Sequence, residues 1–352
     1  MAAKRWCMLC AILLALFSFL IVLTVVIVDP FEIYHRALFY VPPYSSGTQT
    51  YSNAGVAKNF HYDSVIIGSS VTENCTPSVY DAALGGRFVK LCMNGGLSRD
   101  HAKMMDAAFS HHTIARVVYG LDLFAYSQYY TNQKAPFPAY LYDDSLLNDV
   151  SYWFNRSVLF TYIPSALSSL GTPNEDDDRD RMYYWSPPDM PGRDALFAQV
   201  NLTDPLPEQT LEPYWLEYAQ VSAENNLLPY IRAHRETTFD IFFPPYSLLY
   251  WANQARDGRF ESYLVQKQYL AQLLLGEENV RLHDFQLAPW VTDYALYYDL
   301  IHYTSDVNDA MAEAMQAETY LVSDSAQIDD AIQALRRAVY ALFDSSEERN
   351  PS

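Results

Sequence analysis

The hydrophobic pattern of the chain begins with an unbroken apolar run. From Trp6 to Val28 there is no charged residue, and Leu, Ile, Val, Phe and Ala dominate. At about 1.5 Å per residue the run reaches roughly 35 Å as a helix, enough to cross a hydrocarbon core of about 30 Å with some tilt. Lys4 and Arg5 precede it, and Asp29 and Glu32 follow. The positive-inside bias therefore predicts a cytoplasmic stub at 1–5, a transmembrane helix at 6–28, and an extracytoplasmic remainder in the cell membrane. A cleaved signal peptide would have a shorter apolar region followed by small residues. Ile-Val-Asp-Pro-Phe follows here instead.

Beyond the anchor the pattern changes twice. Residues 29–60 are rich in Tyr, Pro, Ser and Gly without a sustained period, and read as a stalk. From there five short β-rich runs stand out: Ser64–Gly68, Phe88–Met93, Arg116–Leu121, Thr238–Phe243 and Val280–Phe285. Apolar on both alternating faces, they suit strands buried in a parallel sheet. Helical patterns lie between most of them, over Arg99 to Phe109, Leu211 to His234 with a break at Pro229, and Arg259 to Leu275. A last stripe, Ile328, Ile332, Leu335, Val339 and Leu342, follows Ser325 as candidate N-cap. Alternating strands and helices predict an α/β domain over 61–345: three α/β/α layers with a five-stranded, mainly parallel, flavodoxin-like sheet. Residues 124–207, aromatic and proline-rich, interrupt the alternation and read as an insertion over the carboxyl edge of the sheet. The acidic stretch Glu175–Asp180 would be an exposed loop within it, and 346–352 a disordered tail.

Composition narrows the partners. Half of the residues are apolar and 15% aromatic, so the outer region can bury a real core. A formal charge of −19 argues against nucleic acid, whose phosphates need clustered Lys and Arg. Only Cys75 and Cys92 lie outside the anchor; one bridge or a free buried pair are both open. No zinc spacing occurs, the acidic run lacks the spaced ligands and Gly of a calcium loop, and no metal or cofactor is expected.

In an open parallel sheet, ligands bind outside the carboxyl ends of the strands. The first run ends in Gly68-Ser69-Ser70, a tight turn that can present a hydroxyl at a helix N-terminus. The second ends in Asn94-Gly95-Gly96, whose glycines let backbone N–H groups approach a ligand. The third ends in Gly120-Leu121-Asp122. The fourth continues into Pro244-Pro245-Tyr246-Ser247, a rigid turn that puts Tyr246 and Ser247 within reach of the same edge. Far downstream stands Asp299-Leu300-Ile301-His302. A carboxylate three residues before a His can take the proton on one imidazole nitrogen, leaving the other as general base toward a serine.

Four of these motifs, Gly68-Ser69-Ser70, Asn94-Gly95-Gly96, Gly120-Leu121-Asp122 and Asp299-Leu300-Ile301-His302, in this order, resemble the SGNH (GDSL-type) hydrolases, and within them the membrane-anchored branch of D-alanyl-lipoteichoic acid transfer and O-acyltransferase proteins. The resemblance covers most of 60–305 but not the insertion. It implies Ser70 as nucleophile, with Ser69 as second choice, His302 as base and Asp299 as its acid. The N–H groups of Ser70 and of Gly95 or Gly96 match the oxyanion donors. Where the small hydrolases place an oxyanion-donating Asn, this chain has Asp122, which when ionised only accepts hydrogen bonds.

The implied function is an extracytoplasmic serine esterase or O-acyltransferase acting on acyl esters of a cell-envelope polysaccharide or lipid-linked polymer. A membrane-embedded acyltransferase is an implied partner. The alternative is a non-catalytic module of the same fold that binds glycan or partners such an acyltransferase.

Overall fold

In a computed structural model, which describes residues 2–171 and 178–347, the five apolar runs form one sheet. They are β1 (Ser64–Gly68), β2 (Phe88–Cys92), β3 (Arg116–Gly120), β4 (Thr238–Phe243) and β5 (Val280–Asp284), each parallel to its neighbour. A sixth, β6 (Leu321–Val322), pairs antiparallel with β5. The sheet thus has six strands rather than five, because a two-residue strand is too short to display a period. β1 and β2 are buried along their whole length, as their two-sided apolar pattern requires.

The strand order is β2-β1-β3-β4-β5-β6. The chain moves outward from β1 to β2, crosses back to β3 on the far side of β1, and then continues away. With right-handed crossovers, reversing direction puts the helices Pro77–Leu84 and Ser98–His111 on opposite faces of the sheet. The reversal between β1 and β3 is a topological switch point, where successive connections diverge and leave a crevice at the carboxyl ends. Ser69, Ser70 and Asp122 all leave the sheet there.

Helix boundaries follow local chemistry. The expected break near Pro229 separates Trp215–Asn226 from Leu228–Ala233, since proline cannot continue the first helix. The last helix starts at Ser325 itself; Asp324, not Ser325, caps it by accepting the Gln327 N–H at 2.9 Å. Two buried ammonium groups in the domain are both satisfied. Lys90, in the middle of β2, donates to the Glu73 carbonyl at 2.8 Å, and Lys267 pairs with Asp284 at 2.6 Å. Removing the Asp284 carboxylate would leave the Lys267 charge uncompensated in the interior, at a cost of about 3–5 kcal/mol. Cys75 and Cys92 are buried thiols with no disulfide between them. Burial pushes the Cys75 thiol up to about 12, so it is inert as a nucleophile.

The chain forms two compact units, one of Met1–His61 with Phe137–Asp178, the other of Tyr62–Pro136 with Arg179–Ser352. The first contains the apolar helix α1 (Ala2–Val28). Residues 29–60, expected as a stalk, carry a helix, α2 (Gln49–Asn59), with most of its residues buried. A Cβ on Gly55 would come within 2.0 Å of the Phe31 carbonyl oxygen, so α2 lies directly on the segment leaving α1. Residues 172–177, with much of the expected acidic loop, and 348–352 of the expected tail lie outside the described residues.

Candidate active site

The loop after β1 carries the two serines. Ser69 is buried and extended, while Ser70 begins a single 3-10 turn, Ser70–Thr72, and is partly exposed. The sequence suggested a helix N-terminus at this point. One 3-10 turn is too short to supply a macrodipole, so any oxyanion stabilisation rests on individual N–H groups. The turn packs so closely that a Cβ on Gly68 or Gly120 would come within 2.7 or 2.9 Å of the Thr72 side chain. That is why glycine ends both β1 and β3.

Ser70 Oγ lies 2.7 Å from His302 Nε2, and His302 Nδ1 lies 2.7 Å from Asp299 Oδ2. The other carboxylate oxygen of Asp299 accepts the N–H groups of Ile301 and His302, each at 2.7 Å. Burial opposes ionisation of Asp299, but the His302 ring and these two N–H groups outweigh it and hold the carboxyl below its usual range. An ionised Asp299 fixes the tautomer: it accepts a hydrogen bond from Nδ1–H and leaves the Nε2 lone pair facing the serine hydroxyl.

The pair sits in a short closed loop. Tyr297 and Tyr303 form an antiparallel bridge at its neck, and Tyr298 N–H donates to the His302 carbonyl at 2.9 Å. The turn after β4 braces this loop from below. Ser247 Oγ donates to the Leu300 carbonyl at 2.8 Å and caps the helix Leu248–Arg256 by accepting the Tyr250 N–H at 3.2 Å. Tyr297 OH donates to the Pro245 carbonyl at 2.6 Å. Ser247, expected at the substrate edge, is fully buried and serves as a tether.

Asp122 is buried, and its Oδ1 accepts a short hydrogen bond from the buried Tyr246 hydroxyl. Burial raises its pKa to about 6, with Ser69, Tyr246 and the charge of His302 offsetting part of the effect. Burial likewise drives the Tyr246 phenol well above its ordinary value, so it remains the donor. Asp122 Oδ2 and Ser69 Oγ are both buried without a well-formed hydrogen bond. Asp122 and Tyr246 thus form a buried support under the serine turn rather than donors facing a substrate.

Of the two candidate glycine donors, Gly96 N–H is committed to the Met93 carbonyl at 2.7 Å. A Cβ there would collide with Met93 and approach His101 Nε2 at 3.0 Å. Gly95, at φ +58°, makes no hydrogen bond among the described residues, and neither does the Ser70 N–H. These two amides are the ones left without a hydrogen bond in the serine turn and the glycine turn.

Sequence reading missed three neighbours. The Trp185 ring stands edge-on to His302 with centroids 5.2 Å apart. Its backbone is clamped by Asn74, which accepts the Trp185 N–H and donates to its carbonyl, both at 2.9 Å. Lys134, on an exposed loop, reaches over Gly95; its Nζ lies 3.3 Å from where a Cβ would be. The aromatic content of the insertion signalled such a wall without saying which ring. Among the described residues no group of three His, Cys, Asp or Glu side chains is placed to hold a metal.

No protein-family model matches the sequence, and no curated protein matches it. Among solved structures, the chain is similar to a Streptococcus pneumonia protein described, provisionally, as a platelet activating factor. The TM-score is 0.41 and the identity 10%, over 78% of this chain and 92% of that one.

Proposed function

We propose that the chain is a serine acyl-ester enzyme, an esterase or O-acyltransferase, in which Ser70 is the nucleophile, His302 the base and Asp299 the group that orients it. The observation that carries this reading is the unbroken relay from Ser70 Oγ through His302 to Asp299, at 2.7 Å in both steps. Ser70 Oγ would attack the acyl carbonyl, passing its proton to His302 Nε2, while the Ser70 and Gly95 N–H groups receive the oxyanion. His302 would return that proton to the departing alkoxide as the ester bond breaks. Water or a sugar hydroxyl, deprotonated by His302, would then release the acyl group from Ser70.

A bilayer-anchored enzyme of this kind suits substrates held near the lipid surface, which favours acylated envelope polysaccharide or lipid-linked polymer, with a membrane-embedded acyltransferase as partner. Co-purification from membranes cross-linked in place tests the partner; its absence while the enzyme is active would remove that part of the proposal. The non-catalytic alternative drew on Asp122 as a repulsive group in the oxyanion site. Its engagement with Tyr246 weakens that objection.

The test is labelling of the full-length protein by a fluorophosphonate probe. Labelling of wild type, lost in Ser70→Ala and in His302→Ala, is expected. A folded wild type that does not label would refute the enzyme reading.

A further inference from the structure

α1 does not run into a flexible linker. At its end Asp29 adopts φ +43°, and its carboxylate accepts the N–H groups of Ile33, Tyr34 and His35 at 3.0, 2.7 and 3.1 Å. The turn is therefore fixed. Val25 and Val28, on the last turns of α1, are buried in a cluster with Tyr152, Ile163 and Ala166. The helical segments at 150–153 and 158–168 thus pack against the exit of α1.

This unit exposes several large apolar side chains. Leu147 is 90% exposed, Phe160 75% and Leu38 72%, with Val150, Phe154 and Leu170 also open. Side chains of this kind scattered singly need no explanation, but a group of them beside an apolar helix does. The sequence from Val150 to Asn174 contains no Asp or Glu, in a chain that has 42 of them. Amphipathic aromatics lie alongside: Trp153 Nε1 donates to the Tyr34 hydroxyl at 2.8 Å, which donates to Asp149 at 3.0 Å. Trp and Tyr concentrate where hydrocarbon gives way to headgroups.

We propose that this surface is a lipid-facing collar, with residues 36–39 and 146–170 resting in the headgroup region of the leaflet from which α1 emerges. Three observations favour lipid as the occupant over water or a soluble protein: continuity with α1, whose most apolar 18-residue stretch has a mean hydropathy of 3.2, the lack of any carboxylate from Val150 to Asn174, and the adjoining aromatics. Amphipathic surfaces of this type sit about 5–10 Å into the headgroup boundary. The collar would turn a one-helix anchor into a fixed platform. It rests on α1 crossing a bilayer, not on the chemistry of Ser70.

The experiment is photo-crosslinking of the full-length protein in vesicles of phosphatidylethanolamine and phosphatidylglycerol. Benzoylphenylalanine replaces one residue at a time: Leu147→Bpa and Phe160→Bpa as tests, Phe17→Bpa within α1, and Glu236→Bpa as an exposed site in the other unit. Lipid adducts at 147, 160 and 17, and their loss at 236, are expected. Lipid adducts at 17 alone would overturn the collar and leave the anchor standing, and no lipid adduct at 17 would overturn both. Protein adducts in place of lipid at 147 and 160, seen in native membranes, would assign the surface to a partner and also overturn the proposal.

Discussion

The substitution Asp122→Asn tests how the buried support beneath the serine turn works. Asp122 is fully buried with one carboxylate oxygen on Tyr246 and the other without a well-formed bond. Burial moves its pKa from 3.8 to about 6. Because the folded-state value is raised, the folded chain binds more protons than the unfolded chain between those two values, and stability falls as pH rises through that window. Two pKa units correspond to about 3 kcal/mol of destabilisation at pH 7, and to under about 1 kcal/mol at pH 4. An amide keeps the oxygen that accepts from Tyr246, places a donor toward Ser69 Oγ, and never ionises. Asp122→Asn should therefore raise the melting temperature of the detergent-solubilised chain by several degrees at pH 7 and leave it nearly unchanged at pH 4. Paired thermal unfolding of variant and wild type at both pH values isolates this group from other titrating residues. An equal shift at both pH values, or a variant less stable at pH 7, would refute the assignment of Asp122 as an ionised group carrying a burial penalty.

Other substitutions separate chemistry from support. Asp299→Asn keeps the shape but removes the acceptor that fixes the His302 tautomer, and should slow fluorophosphonate labelling by roughly 10⁴-fold with only a small drop in melting temperature at neutral pH. Ser247→Ala loses the brace to Leu300 and a helix cap, costing about 1–2 kcal/mol; labelling should slow while probe affinity holds, and Ser247→Thr should restore part of the rate. Gly96→Ala meets the Met93 carbonyl at 2.8 Å and should cost about 1–3 kcal/mol in urea unfolding. Lys134→Ala should leave stability unchanged and lower the labelling rate, and a Lys134→Arg variant that fails to recover it would argue against a purely electrostatic role.

The sheet was legible because burial on both faces writes itself locally: five apolar runs, each bounded by turn residues, need no knowledge of their neighbours. The Ser70, Asp299 and His302 positions were legible for a related reason. A strand-end serine turn and an i, i+3 acid–base pair are short-range patterns, and the parallel sheet supplies the rule that brings strand ends together. β6 escaped because two residues carry no period. The α2 packing escaped because Gly55 is needed for a close approach to Phe31, and nothing in the local sequence names that partner.

The supports are a different matter. Tyr246 meets Asp122 across 124 positions, Ser247 meets Leu300 across 53, and Asn74 clamps Trp185 across 111. Each is one polar contact whose two halves look ordinary apart, so sequence gives a role to the residue and not to the pair. Asp122 shows the consequence. Read alone at a strand end, a carboxylate beside an oxyanion site is a repulsive defect. Placed against Tyr246 and below Ser69, the same carboxylate is the acceptor that holds a phenol in place, and in the proposed mechanism the oxyanion falls instead to the unpaired amides of Ser70 and Gly95. The charge is then a cost to stability rather than to catalysis, so Asp122→Asn should change melting temperature far more than the rate at which Ser70 is labelled.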